Sequence, residues 1–512
     1  MDSNSLVDVF KLYISSMFRV VAACFGVAIT LVVSGTASAQ DVTFGYAIAM
    51  GSVGDDSGYG VTVDGTGNVY TTGSFSGTVD FDPGAGTANL TSEGLTDIFV
   101  QKLDSAGNFV WAKSMGGVSN DAGGSIAVDT SGNVYITGSF WYTVDFDPGE
   151  GTAELTSGGQ TDIFVLKLDV NGSFQWVNGM GGTSFDSSGG IAVDTSGNVY
   201  IAGTFQKYID LDPGDGTLSP PYAAKRDIFV QKLDTDGHLV WAKTMGGTGE
   251  DYGYGIALDS SNNVYTTGTF LGTVDFDPGD GTVNLDNTGG TKIFVQKLDI
   301  NGDLLWANAI GGYGAQIGSG SLGITVDGSG NVYTTGTFSN TVDFDPSVDT
   351  FELSSTGNAD AFFHKMDTAG NFLWVRAVGG TDGLARGYKI TVDSLGDVYA
   401  VAYYSDMVDF DPGEGISTFD SGSFGETFIL KLDDSGIFEW VKILVGIYEL
   451  NTGRDIAVDK VGRVYTTGSF YDTTDFDPGP GEAERTSVGS YDIFLSQLRP
   501  LDLSALMLLL LL

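Results

Sequence analysis

The octapeptide VDTSGNVY at residues 128–135 constrains this chain more than any other feature, because near-copies of it recur along almost the whole length. They begin at Val63, Val128, Val193, Leu258, Val326, Val392 and Val458, at intervals of 65, 65, 65, 68, 66 and 66 residues. So regular a spacing means one folded unit repeated seven times. It overrides the separate domains that a chain of 512 residues would otherwise suggest.

Within one unit, residues 125–129 (SIAVD) form a short β-branched run, Thr130-Ser131-Gly132 a turn, and residues 133–140 (NVYITGSF) a second alternating run. Residues 162–169 (DIFVLKLD) and 174–180 (FQWVNGM) flank Val170-Asn171-Gly172-Ser173 as a second hairpin with an Asn-Gly turn. Each unit therefore reads as four antiparallel strands. A sheet with apolar side chains on both faces needs a neighbour on each side, and seven sheets set radially supply one another while leaving only short edges. The expected fold is all-β, a seven-bladed β-propeller.

The chain ends indicate how such a ring closes. The last unit stops after residues 492–498 (DIFLSQL), its third strand, whereas residues 46–51 (YAIAMG) parallel residues 111–116 (WAKSMG), with Tyr46 in place of the tryptophan. An N-terminal strand is thus expected to complete the seventh blade. Trp111, Trp176, Trp241, Trp306, Trp374 and Trp440 recur at one place in successive fourth strands, which points to packing in one repeated gap, between blades or on the outer face.

The string GGSIAVDTSGNVYITGSF, followed by TDIFVLKLDVNGSFQW and a Gly-Gly pair, resembles the bacterial β-propeller repeat family often called SBBP repeats, and is related in look to NHL-type propellers. The resemblance covers residues 51–498. It implies a seven-bladed propeller in an exported or surface-attached protein, and it carries no transferable catalytic residues. This chain departs from the shortest such repeats by inserting a segment between the second and third strands, typified by TVDFDPGEGTAELTSGG at residues 143–159.

Residues 1–39 read as a secretory signal peptide: a polar start with Lys11 and Arg19, an apolar run over residues 20–33, and Ala37-Ser38-Ala39 as the cleavage pattern. The propeller is expected over residues 41–498 and a short apolar tail over 499–512, too short for a spanning helix. The one cysteine, Cys24, lies in the apolar run, so the mature chain has no thiol chemistry. A net charge of −42 repels phosphate backbones and excludes nucleic acid as a partner, while favouring cations such as Ca²⁺.

Two sets of carboxylates are the candidate metal ligands. The inserted DxDPG segment carries Asp80/Asp82, Asp145/Asp147, Asp210/Asp212 and Asp275/Asp277, with further copies at Asp343/Asp345, Asp409/Asp411 and Asp475/Asp477. Residues two apart on a strand face one way, so each pair offers clustered oxygens to a hard cation. The same letters also build a tight turn, with proline presetting φ and glycine permitting positive φ. The second set lies seven residues ahead of the repeated motif: Asp56, Asp121, Asp186 and Asp251, then Ser319, Ala385 and Asn451. In a propeller these would stand near one mouth of the central channel, or hydrogen-bond their own loops.

Other chemistry is sparse. His238 sits in a hairpin turn and His364 on a third strand, neither resembling a base or metal ligand. Residues 318–323 (GSGSLG) fit GxGxxG by letter, but a strand follows instead of a helix. Trp141, at a strand end, is a candidate for stacking on sugar, and Lys207, Lys225 and Arg226 give the third unit a basic loop. The reading is a monomeric, secreted or cell-surface scaffold without catalysis, whose seven inserted loops contact polysaccharide or a surface protein. The alternative is a metal-dependent extracellular lyase or hydrolase acting at the channel mouth.

Overall fold

In a computed structural model, the described residues are 42–501 apart from 215, 222, 312–315, 318–321, 414, 423 and 447–450, with backbone alone at 20–24, 27–31, 288, 316 and 317. The signal-peptide and apolar-tail readings fall almost wholly outside them, as does Ser319. The chain divides into two units, Met1–Thr43 with Pro500–Leu512, and Phe44–Arg499. In the first, Val20–Cys24 pairs antiparallel with Val27–Leu31. The second is the propeller.

Every described element is a strand. In the first blade Ser57–Val63, Val69–Phe75, Asp97–Leu103 and Phe109–Gly117 pair in that order, all antiparallel. The repeated octapeptide makes the first turn. Asp129 Oδ1 accepts the N–H groups of Ser131 and Asn133 at 2.8 and 2.9 Å, its Oδ2 accepts the Asn133 amide and the Tyr135 hydroxyl, and Gly132 takes a φ of 83°. The motif recurs because each polar letter closes this turn, while the tyrosine ring is buried between blades.

The first strands are the innermost. Ser57–Val63, Ala122–Val128, Ser187–Val193, Tyr252–Leu258, Gly323–Val326, Leu384–Val392 and Thr452–Val458 each touch the next, and the last touches the first. The seven sheets therefore form a closed ring. Val42–Met50 pairs with Asp492–Pro500 as the fourth strand of the seventh blade, as the sequence leads one to expect. Ile48, Met50, Ile493 and Leu495 share one apolar cluster with Val61, Val69, Phe75 and Phe99 of the first blade. Burial of such side chains, about 1.5–3 kcal/mol each, is what a lone sheet could not obtain.

The blades are joined by more than apolar contact. Trp111 Nε1 donates to the Val170 carbonyl in the outer hairpin turn of the next blade at 3.1 Å, and Lys102 Nζ reaches the same oxygen from above the Tyr70 ring. Trp176, Trp241, Trp306 and Trp374 repeat the bond, to Thr235, Ile300, Thr368 and Asp434. At the closing junction Tyr46 and Gln497 replace tryptophan and lysine, and Arg463 Nη1 bonds the Ser105 carbonyl instead.

The inserted segments are packed into the junctions instead of standing free. Thr143–Asp145 pairs with Glu154–Thr156, and Val144 and Asp145 also pair with Gly117 and Gly116 on the fourth strand of the preceding blade. Ile209 with Gly182 and Thr474 with Gly446 repeat this. The cause is the Val-Asp-Phe alternation: Val144 and Phe146 are fully buried, with the Phe146 ring 4.8 Å from Phe164.

Candidate functional site

Asp56, Asp121, Asp186 and Asp251 are all buried, in the loops leading into four consecutive innermost strands. Asp121 Oδ2 accepts the Gly117 N–H and Oδ1 the Trp141 N–H, both at 2.9 Å. Asp186 accepts from Gly182 and Gln206, Asp251 from Gly247 and Leu271, and Asp56 from Ser52 and Ser76. Each carboxylate thus ties the end of one blade's fourth strand to the end of the next blade's second strand. This is the loop-bonding arrangement, with both oxygens engaged by main chain. Ala385 and Asn451 are buried at the equivalent places.

A second carboxylate, not singled out from the sequence, opens each preceding third strand: Asp97, Asp162, Asp227, Asp360 and Asp492. Their Oδ1 atoms are buried without a hydrogen bond. Burial pushes the carboxyls of Asp97, Asp121, Asp162 and Asp251 up to about 6, and those of Asp186, Asp227 and Asp492 up to about 7. The neighbouring aspartate adds to the rise: Asp121 on Asp97, Asp162 on Asp186, Asp251 on Asp227 and Asp56 on Asp492. A Cβ on Gly116 would lie 2.1 Å from Asp97 Cγ, and Gly181, Gly246, Gly379 and Gly51 stand in the same relation to the other four. The sequence signal was therefore present, as an Asp and a Gly 19 residues apart in four repeats.

The DxDPG pairs lie in the inserted turns. Asp145 Oδ1 accepts the N–H groups of Asp147 and Ala153, and Asp147 Oδ1 that of Gly149, at 2.8 to 3.0 Å. Asp80 and Asp82 do the same with Ala88 and Gly84, Asp210 and Asp212 with Leu218 and Gly214, and Asp275 and Asp277 with Val283 and Gly279. Among the described residues, the one cluster of three or more acidic or histidine groups spaced to hold a metal is Asp234, Asp236 and His238 in an outer hairpin turn. There His238 Nδ1 lies 3.3 Å from Asp234 Oδ2. His364 is fully buried against the Phe344 and Phe372 rings, and burial pushes its pKa down to about 3.

Aromatic groups gather at the second blade, Tyr142 and Phe185 exposed and Trp141 half-buried. Trp141 lies 6.2 Å from Tyr142 and 6.1 Å from Phe185, measured between ring centroids. Tyr142 is 56% exposed and adopts a φ of 59°. The equivalent residues are Gly77, Lys207, Gly272, Asn340, Asp406 and Asp472, all with positive φ, so a bulky aromatic side chain here is held against its backbone preference.

Seven sheets closed into a ring, with main-chain ties at their junctions, define a β-propeller. Residues 110–139 and 240–269 match the family described as Beta-propeller repeat, SBBP. Each match runs from the fourth strand of one blade to the second strand of the next. An uncharacterized WD repeat-containing protein of Acanthamoeba polyphaga mimivirus is 25% identical, covering 86% of this chain and 37% of that protein. Regulatory protein FlaEY of Caulobacter vibrioides is 30% identical, covering 28% of this chain and 15% of its own. The chain thus spans well under half the length of either relative. Among solved structures, Sqt1 from Chaetomium thermophilum covers 84% of this chain and 97% of its own at 10% identity, with a TM-score of 0.35.

Proposed function

We propose that this protein is a non-catalytic binding scaffold working outside the cytoplasm, with a polysaccharide or a surface protein as ligand. The observation that carries the reading is the Trp141, Tyr142 and Phe185 cluster, in which a strained and exposed tyrosine is kept at a turn that other blades fill with small or polar groups or lysine. Aromatic rings on a rigid body offer contact area at small cost in side-chain entropy. Asp56, Asp121, Asp186 and Asp251 support the same reading, because both oxygens of each are occupied in holding loops. No helix among the described residues is long and apolar enough to cross a membrane.

The test is a binding screen of the full chain against immobilised glycans and extracellular proteins, with and without Ca²⁺, repeated with Trp141→Ala. Binding that falls about tenfold or more in the variant supports the reading. Turnover of a polysaccharide, unaffected by the substitution, would overturn it in favour of an enzyme.

A further inference from the structure

Among the described residues, six innermost strands carry a one-residue β-bulge, at Gly58/Gly60, Gly123/Ser125, Ser188/Gly190, Gly253/Gly255, Gly387/Lys389 and Gly453/Asp455. The bulged residues are Tyr59, Gly124, Gly189, Tyr254, Tyr388 and Arg454. A bulge leaves its extra residue outside the ladder and re-aims its side chain. Since these strands surround the axis, the six positions form a circle about it, with Tyr254 packed into the apolar junction of the fourth and fifth blades. The circle is uneven: the second and third blades place glycine there, whereas the sixth and seventh place Tyr388 and Arg454.

Cations concentrate on that side. Arg386 and Lys389 lie on the same strand as Tyr388, and the Arg454 guanidinium sits 5.4 Å over the Tyr388 ring. Tyr403, on the paired second strand, adjoins both Arg386 and Tyr388. Arg386 and Arg454 are exposed. No described carboxylate lies within 4.0 Å of Arg386, Lys389 or Arg454. The nearby Asp455 is buried, and its oxygens are taken by the N–H groups of Val61 and Ile456, both at 2.9 Å. The Lys389 charge also acts on this buried carboxylate. In a chain with 23 Lys and Arg against 65 Asp and Glu, two exposed arginines with no described carboxylate within 4.0 Å, on adjoining inner strands, run against the general charge.

We propose that the sixth and seventh blades bind a carboxylate-bearing sugar at the central opening, with Arg454 pairing the carboxylate, Arg386 adding charge, and Tyr388 and Tyr59 flanking the ring. Guanidinium geometry suits a carboxylate. The surrounding negative field disfavours polyanions, so the ligand is a singly charged unit such as a chain-end sugar acid. This inference rests on the scaffold reading and names a site separate from Trp141.

The test is titration of the full chain with glucuronate, glucose, acetate and a short glutamate peptide at low salt. Glucuronate should bind at least about tenfold tighter than the other three, and Arg454→Gln and Arg386→Gln should each weaken it by about tenfold with an unchanged melting temperature. Trp141→Ala should leave it unaltered. Equal binding of glucose, equal or tighter binding of acetate or the peptide, or indifference to both arginine substitutions would overturn the site. A ligand found in the wider screen and lost with Trp141→Ala would then still uphold the scaffold.

Discussion

Arg463 Nη1 donates to the Ser105 carbonyl across 2.9 Å, joining the seventh blade to the outer hairpin turn of the first. At this position other repeats have asparagine or aspartate, and at other junctions a tryptophan and a lysine make the cross-blade bond. Arg463→Asn should therefore lower stability by about 1–2 kcal/mol, read from denaturant unfolding. Removal of residues 42–50 should cost far more, because it exposes the paired edge of Asp492–Pro500 and the apolar cluster beneath.

The tryptophan bonds give a cleaner measure of one junction. Trp176→Phe keeps an aromatic ring but removes the Nε1 donor to Thr235 and part of the indole's packing area, so about 1–2 kcal/mol should be lost. The same change at Trp306, two blades away, should add to it almost fully.

Acid should stabilise the propeller between pH 8 and pH 5. The paired aspartates have folded-state values of about 6 to 7, above the ordinary 3.8, so the folded chain binds protons that the unfolded chain releases. Their favourable contribution is complete below about pH 4 and is lost as pH rises through 6 to 7. A melting temperature at pH 5 no higher than at pH 8 would refute this, and Asp97→Asn with Asp162→Asn should flatten the dependence.

His364 works in the opposite sense. Its folded value of about 3 lies below the ordinary 6.5, so it contributes fully above pH 6.5 and loses that contribution as pH falls toward 3. Gln101, Gln231 and Gln296 fill the equivalent place and donate to the carbonyls of Phe81, Leu211 and Phe276. His364→Gln should accordingly raise stability at pH 5 by about 2 kcal/mol relative to its effect at pH 8, followed by thermal melting across pH.

Asp147 offers a test of the inserted turns. Loss of its bond to Gly149 in Asp147→Ala should cost about 1 kcal/mol, equally with Ca²⁺ and with chelator. A cost seen only with Ca²⁺ would assign the segment to cation binding.

Much of the architecture was legible because it is periodic. The octapeptide fixes a turn, the alternating runs fix strands, and Tyr46 standing where Trp111 stands locates the closing strand. The inserted segments were less legible. Their Asp, Pro and Gly letters read as a loop, whereas burial of Phe146 depends on Phe164 in the third strand and on the edge at Gly117. The aspartate pairs were half visible for a similar reason. Asp121 stood out by its register, but Asp97 becomes its neighbour only through the bridge of Thr96 to Asn120 between blades. The cations round the opening escaped notice because Arg386, Lys389 and Arg454 interrupt the repeat and come together only when bulged strands are set side by side.

The seal of the ring also sets a schedule. Arg485 and Arg499 bond the carbonyls of Ala47 and Gly45, partners 438 and 454 residues distant. A ribosome adding about 5–20 residues per second brings out the early strand tens of seconds before the last sheet exists to receive it. The first part made is thus the last to be fastened, and until then the growing protein carries an unclaimed ribbon that a chaperone could shield or a sister chain could borrow.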